Sequence, residues 1–284
     1  MLFYYANSGH KVGLERVRRG AALLNILESQ GVETQLLVND FRAGLAARDL
    51  GVKEYVTVET VQDIDAIADA GNSIIIDSPE DDHGRLVKYC ADFKNVWRFE
   101  HDSSDRSVHG EILFKSDCLA DDCVDSLIVD EIFFDQKIKE ERVLFFLGDA
   151  DYNKNILNNK TFFQEFDMEL LLGSYFFVKY ENDLEKLFTT LHEPEDYVYL
   201  VTKSSTIVTS SSQTAFEAKL SGAKVIYLNI DNETIYPVSL LEKHNIDIVN
   251  GFDIEALKMY LKQDYIKKEN KIKLFDTQKI TSAL

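Results

Sequence analysis

Short apolar runs alternate with amphipathic stretches along most of the chain, and this alternation limits the fold more than any other feature. Runs rich in Val, Ile, Leu, Tyr and Phe predict strands at 2–6, 34–38, 55–58, 73–77, 95–99 and 111–114. Between them, residues 14–30, 61–70 and 84–93 carry helical spacing. In the first of these, Leu14, Val17, Ala21, Leu24 and Leu27 recur on one face. Such alternation implies a mostly parallel sheet covered on both sides, because each parallel connection must cross over the sheet. The charged, apolar-poor run 135–142 breaks the pattern and is the expected linker. A second alternation follows, with strands at 143–147, 168–172, 206–209 and 224–228, helices at 156–166, 181–191, 214–220 and 254–261, and a Lys-rich tail from Lys262. At about 150 residues per domain, 284 residues make two α/β domains, expected at 1–138 and 139–284.

Charge narrows the partners. There are 31 basic and 49 acidic side chains, a formal net charge of -18, which provides no general field for nucleic acid or an anionic membrane. A phosphorylated ligand would therefore need a local site that overcomes this background. No apolar run approaches the roughly 18–20 residues that span a bilayer, and no basic leader precedes the first strand, so a cytoplasmic protein without stable membrane insertion is expected. Cys90, Cys118 and Cys123 are an odd set with no His or Cys cluster beside them, so reduced structural thiols are expected rather than zinc ligands. No metal and no cofactor are expected. The sequence leaves the oligomeric state open.

In open parallel sheets, ligands bind beyond the carboxyl ends of the strands, so the cleft between two such domains is the expected site. After the first strand come Asn7-Ser8-Gly9-His10-Lys11-Val12-Gly13 and a helix carrying Arg16, Arg18 and Arg19. Gly9 and Gly13 permit close backbone approach to a ligand, and helix amides there can receive an anion. Basic residues in a first turn oppose the helix macrodipole. These arginines therefore need a phosphate, solvent, or an acid such as Glu15 or Asp40. His10 is the candidate general base, since imidazole titrates near neutrality; the alternative is an exposed loop histidine. The turn from Gly148 to Asn155 suits a phosphate or ribose, and equally a plain connection. Ser210-Ser211-Ser212-Gln213-Thr214 offers hydroxyls and helix amides to a phosphate, with Glu217 placed for a ribose. Capping by Ser212 or Thr214, with Glu217 compensating the dipole, is the alternative.

In chain order these segments resemble the UDP-sugar hydrolases of pseudaminic acid biosynthesis and the related spore-coat polysaccharide proteins, which have the GT-B architecture. Gly9-His10 keeps the Gly-His of the family's Gly-x-Gly-His-x-x-Arg, and Asp77-Ser78-Pro79 stands at its Asp-x-Tyr. His101-Asp102 and His109 resemble an Asp-Asp pair and a later His. Gly148 to Asp151 resembles a Gly-Gly-Ser/Thr-Asp turn. Ser210 to Glu217-Ala218, then Gly222 and Asn232-Glu233, resemble the family's C-terminal Ser…Glu-Ala, Gly and Asn-Gln. The sequence departs at Pro79, Asp149 and Glu233, and it lacks the arginine three residues after His10.

The resemblance implies two Rossmann-like parallel-sheet domains facing a cleft. It also implies attack of water on a UDP-sugar in surface or flagellar glycan assembly, with a nucleotide sugar as the small-molecule partner. On it, His10 is the base and Asp77 its partner. Gly9, Arg16, Arg19 and Gly148 line the site, Ser211, Ser212 and Thr214 face the diphosphate, Glu217 takes the ribose and Asn232 the sugar. A GT-B glycosyltransferase and a catalytically silent nucleotide-sugar-binding relative are the alternatives.

Overall fold

The computed structural model describes residues 1–116, 118, 122–176, 181–230, 234–264 and 272–284. They form two compact units: residues 1–9, 16–130 and 274–284 in the first, residues 10–15 and 131–273 in the second. The chain thus changes unit at 9/10, 15/16, 130/131 and 273/274, where a single change after 138 was expected.

The first unit holds β1 (Leu2–Ala6), β2 (Thr34–Val38), β3 (Tyr55–Thr57), β4 (Ser73–Asp77), β5 (Asn95–Phe99), β6 (Ile112–Lys115) and β7 (Cys123–Asp125). They pair in the order β3-β2-β1-β4-β5-β6-β7, all parallel. β1 and β4 are buried at every position, as strands covered on both faces must be. Its helices include α1 (Glu15–Ser29), whose first residue falls in the second unit, α2 (Phe41–Asp49) and α3 (Arg85–Asp92). Leu14, Val17, Ala21, Leu24 and Leu27 are all buried, which confirms the predicted face of α1. One side of the sheet packs Phe3, Tyr5, Ile74, Ile76, Leu86 and Tyr89 into a single apolar cluster.

The second unit holds β8 (Glu140–Phe146), β9 (Glu169–Leu171), β10 (Thr190–His192), β11 (Ser204–Thr209), β12 (Lys224–Asn229) and β13 (Asp247–Asn250). Their order is β10-β9-β8-β11-β12-β13, again all parallel. Its helices are α4 (Asn155–Asn158), α5 (Lys160–Phe163), α6 (Glu181–Leu184), α7 (Tyr197–Lys203), α8 (Ser212–Leu220), α9 (Val238–Lys243) and α10 (Ile254–Lys262). Phe145, Phe162, Phe163 and Phe188 pack with Leu170, Val208 and Ile226 in its core. In both sheets the order reverses beside the unit's first strand, between β1 and β4 and between β8 and β11. Ligands of open α/β sheets settle beyond such a reversal.

Several expectations change. The helix expected at 156–166 is two short pieces, α4 and α5, separated by Asn159 at φ -118, ψ 36. Asn side chains compete for backbone groups and favour such interruptions. The helix expected at 181–191 stops at Leu184, and Thr190–His192 instead pairs with β9. The run 61–70 is a short 3-10 turn over Val61–Ala66. The expected linker 135–142 is partly strand: β8 begins at Glu140, and Lys139 donates to the Thr202 carbonyl at 2.8 Å. Cys118 and Cys123, expected as reduced thiols, are joined in a disulfide, with their Cα atoms 5.9 Å apart and so within disulfide reach. The final segment carries α11 (Gln278–Thr281) and packs on the first unit, with Phe275 stacked on Phe114 and Thr277 donating to Gln30 at 2.7 Å. No helix among the described residues is long and apolar enough to cross a membrane.

Candidate functional site

In the second unit, two turns leave the sheet where its strand order reverses: Gly148 to Lys154 after β8, and Ser210-Ser211 between β11 and α8. Gly148 has φ 137, a conformation that L side chains rarely adopt. Ser211 is the N-cap of α8. Its Oγ accepts from the Thr214 amide at 3.1 Å and from Thr214 Oγ1 at 2.8 Å. No acidic residue lies in the first turn of α8, so its own sequence does nothing to offset the positive end of the macrodipole.

That charge comes from Glu15, in the 10–15 segment of the same unit. Ser211 Oγ donates to Glu15 Oε1 at 2.6 Å, and the Gln213 amide donates to the same oxygen at 3.1 Å. Ser212 Oγ lies 3.4 and 3.3 Å from the two carboxylate oxygens, and the Ile235 amide donates to Oε2 at 3.3 Å. A hydrogen bond to a charged acceptor contributes about 1.5–3 kcal/mol net. Burial, helped by the Glu15 carboxylate, pushes the Tyr227 phenol well up from its ordinary value. In the serine-rich turn, then, a carboxylate of the same chain is seated among the hydroxyls and the helix amide.

Around this turn the polar groups are tightly engaged. α8 begins at Ser212, two residues earlier than expected, which moves Glu217 from the first helical turn to the second. Its carboxylate is 2 % exposed and accepts from the Tyr197 hydroxyl and from Gln213 Nε2 at 2.9 Å. Tyr197 also lies 2.7 Å from Thr214 Oγ1. Asp149 is buried, with its carbonyl accepting from the Tyr175 amide at 2.9 Å. Asp151 accepts from the Asn155 amide at 2.6 Å and the Ile156 amide at 3.3 Å. Burial still pushes its carboxyl up from the usual range. His10 is exposed, with its ring centroid 5.3 Å from that of Tyr152, over which Lys11 also lies. Asn232 and Glu233 lie outside the described residues.

In the first unit the reversal between β1 and β4 is built on ion pairing. Asp77, 1 % exposed, accepts from Tyr4 Oη at 2.6 Å and from Arg19 Nε and Nη2 at 3.0 and 2.7 Å. Arg16 Nε stands 3.6 Å from the same carboxylate, and the Arg19 guanidinium lies 3.7 Å over the Phe99 ring. The predicted need of these arginines for negative charge is met at least in part by Asp77. Gly9, at φ 145, lies in the loop after β1, where Ser8 donates from its amide and Oγ to Asn39 Oδ1 at 2.7 and 3.0 Å. Of the residues brought in by resemblance, His101, Asp102 and His109 are all exposed. They ride a loop framed by Arg98, which pairs with Asp105 and Glu111; the guanidinium hydrogen bond holds the Asp105 carboxyl far below the usual range. Among the described residues no group of three or more His, Cys, Asp or Glu is placed to hold a metal ion.

The serine turn is visible in the sequence, and the carboxylate seated in it is not. The sequence offers Glu15 only as a possible partner for the arginines and does not single out Tyr197 or the Gln213 side chain.

No family model matches the sequence, and no curated protein does. Solved structures match the fold over most of their length. Methanocaldococcus jannaschii UDP-GlcNAc 2-epimerase, in complex with UDP-GlcNAc and UDP, superposes with TM-score 0.55 at 13% identity, covering 93% of this chain and 94% of that one. E. coli heptosyltransferase WaaC with ADP gives 0.53 at 11%, covering 92% and 96%. The spinosyn rhamnosyltransferase SpnG, complexed with spinosyn aglycone, gives 0.55 at 11%, covering 92% and 89%. At such identities the likeness shows the fold: two Rossmann-like parallel-sheet units of the GT-B type, as predicted.

Proposed function

We propose that this chain binds a nucleotide sugar, of the UDP class, and cleaves it with water. One observation carries the reading: the Ser211–Gln213 turn, at the strand-order reversal of the second sheet, receives an anion through two hydroxyls and a helix amide. The ligands named for the similar structures, UDP-GlcNAc, UDP and ADP, support a nucleotide there. Ser211, Ser212 and Thr214 would face the diphosphate, with Gly148 giving room on the neighbouring turn. His10, exposed in the same unit, would take a proton from water as its oxygen attacks the anomeric carbon and the bond to the diphosphate oxygen breaks. Asn232 is assigned to the sugar. A ribose contact by Glu217 would have to exchange the Tyr197 and Gln213 bonds for two ribose hydroxyls. Gly9, Arg16 and Arg19 stand at the first unit's reversal, where Asp77 is assigned to orientation through its ion pairs.

The test is UDP release from UDP-sugars without an acceptor, by the full chain and by His10→Ala. A positioned base contributes about 10²–10⁴-fold, so the variant should lose turnover by that factor with its melting temperature unchanged. Equal turnover would remove His10 from the mechanism. A UDP-sugar at 100 times its Kd should add about 2.7 kcal/mol of stability, and no shift with any nucleotide sugar would overturn the reading. Release only when an acceptor is present would favour the glycosyltransferase alternative. Binding without release would favour the silent relative, for which the seated Glu15 and the buried Asp149 speak.

A further inference from the structure

The Glu15 carboxylate does what a ligand phosphate would do in the second unit. It takes the Ser211 hydroxyl, the Gln213 amide and the Ile235 amide, and it stands against the Ser212 hydroxyl. Two anions cannot share these donors, since each donor hydrogen serves one strong acceptor and the charges repel. The contact is more than a helix cap. Ser211 already caps α8 through its own Oγ, and the Ile235 amide comes from outside that helix.

We propose that Glu15 is an internal competitor for the nucleotide's phosphate, so that the site is self-occupied when empty of ligand and opens only when Glu15 leaves. This rests on the nucleotide reading and adds to it a regulation of the same site. The competitor lowers affinity for every phosphorylated ligand by a common factor and leaves affinity for the phosphate-free nucleoside untouched. It also couples ligand entry to release of the 10–15 segment, which carries His10.

Titration calorimetry with UDP and with uridine, on the full chain and on Glu15→Gln, tests this. UDP should bind about tenfold tighter or more to the variant, a gain of about 1.4 kcal/mol or more, while uridine affinity stays the same. Adding Ser211→Ala to Glu15→Gln should remove most of the gain. Should Glu15→Gln fail to fold by circular dichroism, Glu15→Asp keeps the charge, shortens the side chain and should give a smaller gain in the same direction. UDP binding to the wild type with no gain in a folded variant, or an equal gain for uridine, overturns the competitor and leaves the nucleotide reading standing. No UDP binding to any of these proteins overturns both.

Discussion

Asp77 shows how far a side chain's surroundings decide its work. Its residue type and its place at the end of β4 suit a catalytic carboxylate, yet it is buried under Tyr4, Arg16 and Arg19. Removing one partner of a buried ion pair costs about 3–5 kcal/mol, because the other charge is left without compensation. Asp77→Asn should therefore lower the urea midpoint of unfolding by an amount of that order. A variant as stable as the wild type would show that the Arg19 pair contributes nothing and return Asp77 to direct chemistry. His10 is the opposite case. It is exposed on a loop against Tyr152, and its replacement should cost rate and little stability. Neither outcome could be read from residue type, because a carboxylate or an imidazole has the same letter in a core and on a loop.

At the scale of elements, those with a marked apolar run or helical spacing were legible, and those whose formation depends on their neighbours were not. β1, β2, β4 and β5 lie where apolar runs predicted them, since the strands of a covered parallel sheet are mostly apolar. α2, α7 and α9, and the strands β7, β10 and β13, were missed. β7 and β10 are three residues each and are defined by their pairing with β6 and β9. The turns at the strand ends also depend on partners. A Cβ on Gly173, just after β9, would stand 2.5 Å from the Asp149 carbonyl carbon and oxygen. Backbone on backbone cannot yield as a flexible side chain can. Gly173→Ala should cost about 1–3 kcal/mol or more and displace the Gly148-Asp149 turn, read as reduced stability together with weakened UDP binding. Unchanged stability would mean that these two turns do not touch.

For the whole molecule, the net charge of -18 sets the terms on which any anion arrives. Its field repels UDP, and salt screens that field over about 10 Å at 0.1 M. The association rate for UDP, followed by stopped flow, should therefore rise from low to physiological ionic strength. A rate that falls with added salt would mean that local positive charge governs entry. By itself the sequence determined the class of fold, two α/β halves with parallel sheets. These follow from local periodicity, which acts over a few residues. Only the tertiary structure decided that residues 10–15 and 274–284 change unit, that Asp77 is bound in ion pairs, and that Glu15 sits among the donors of Ser211 and Gln213. Those contacts join residues 58 and 196 positions apart. Distant pairings of that kind are selected by packing and charge in the folded chain, and no local pattern encodes them.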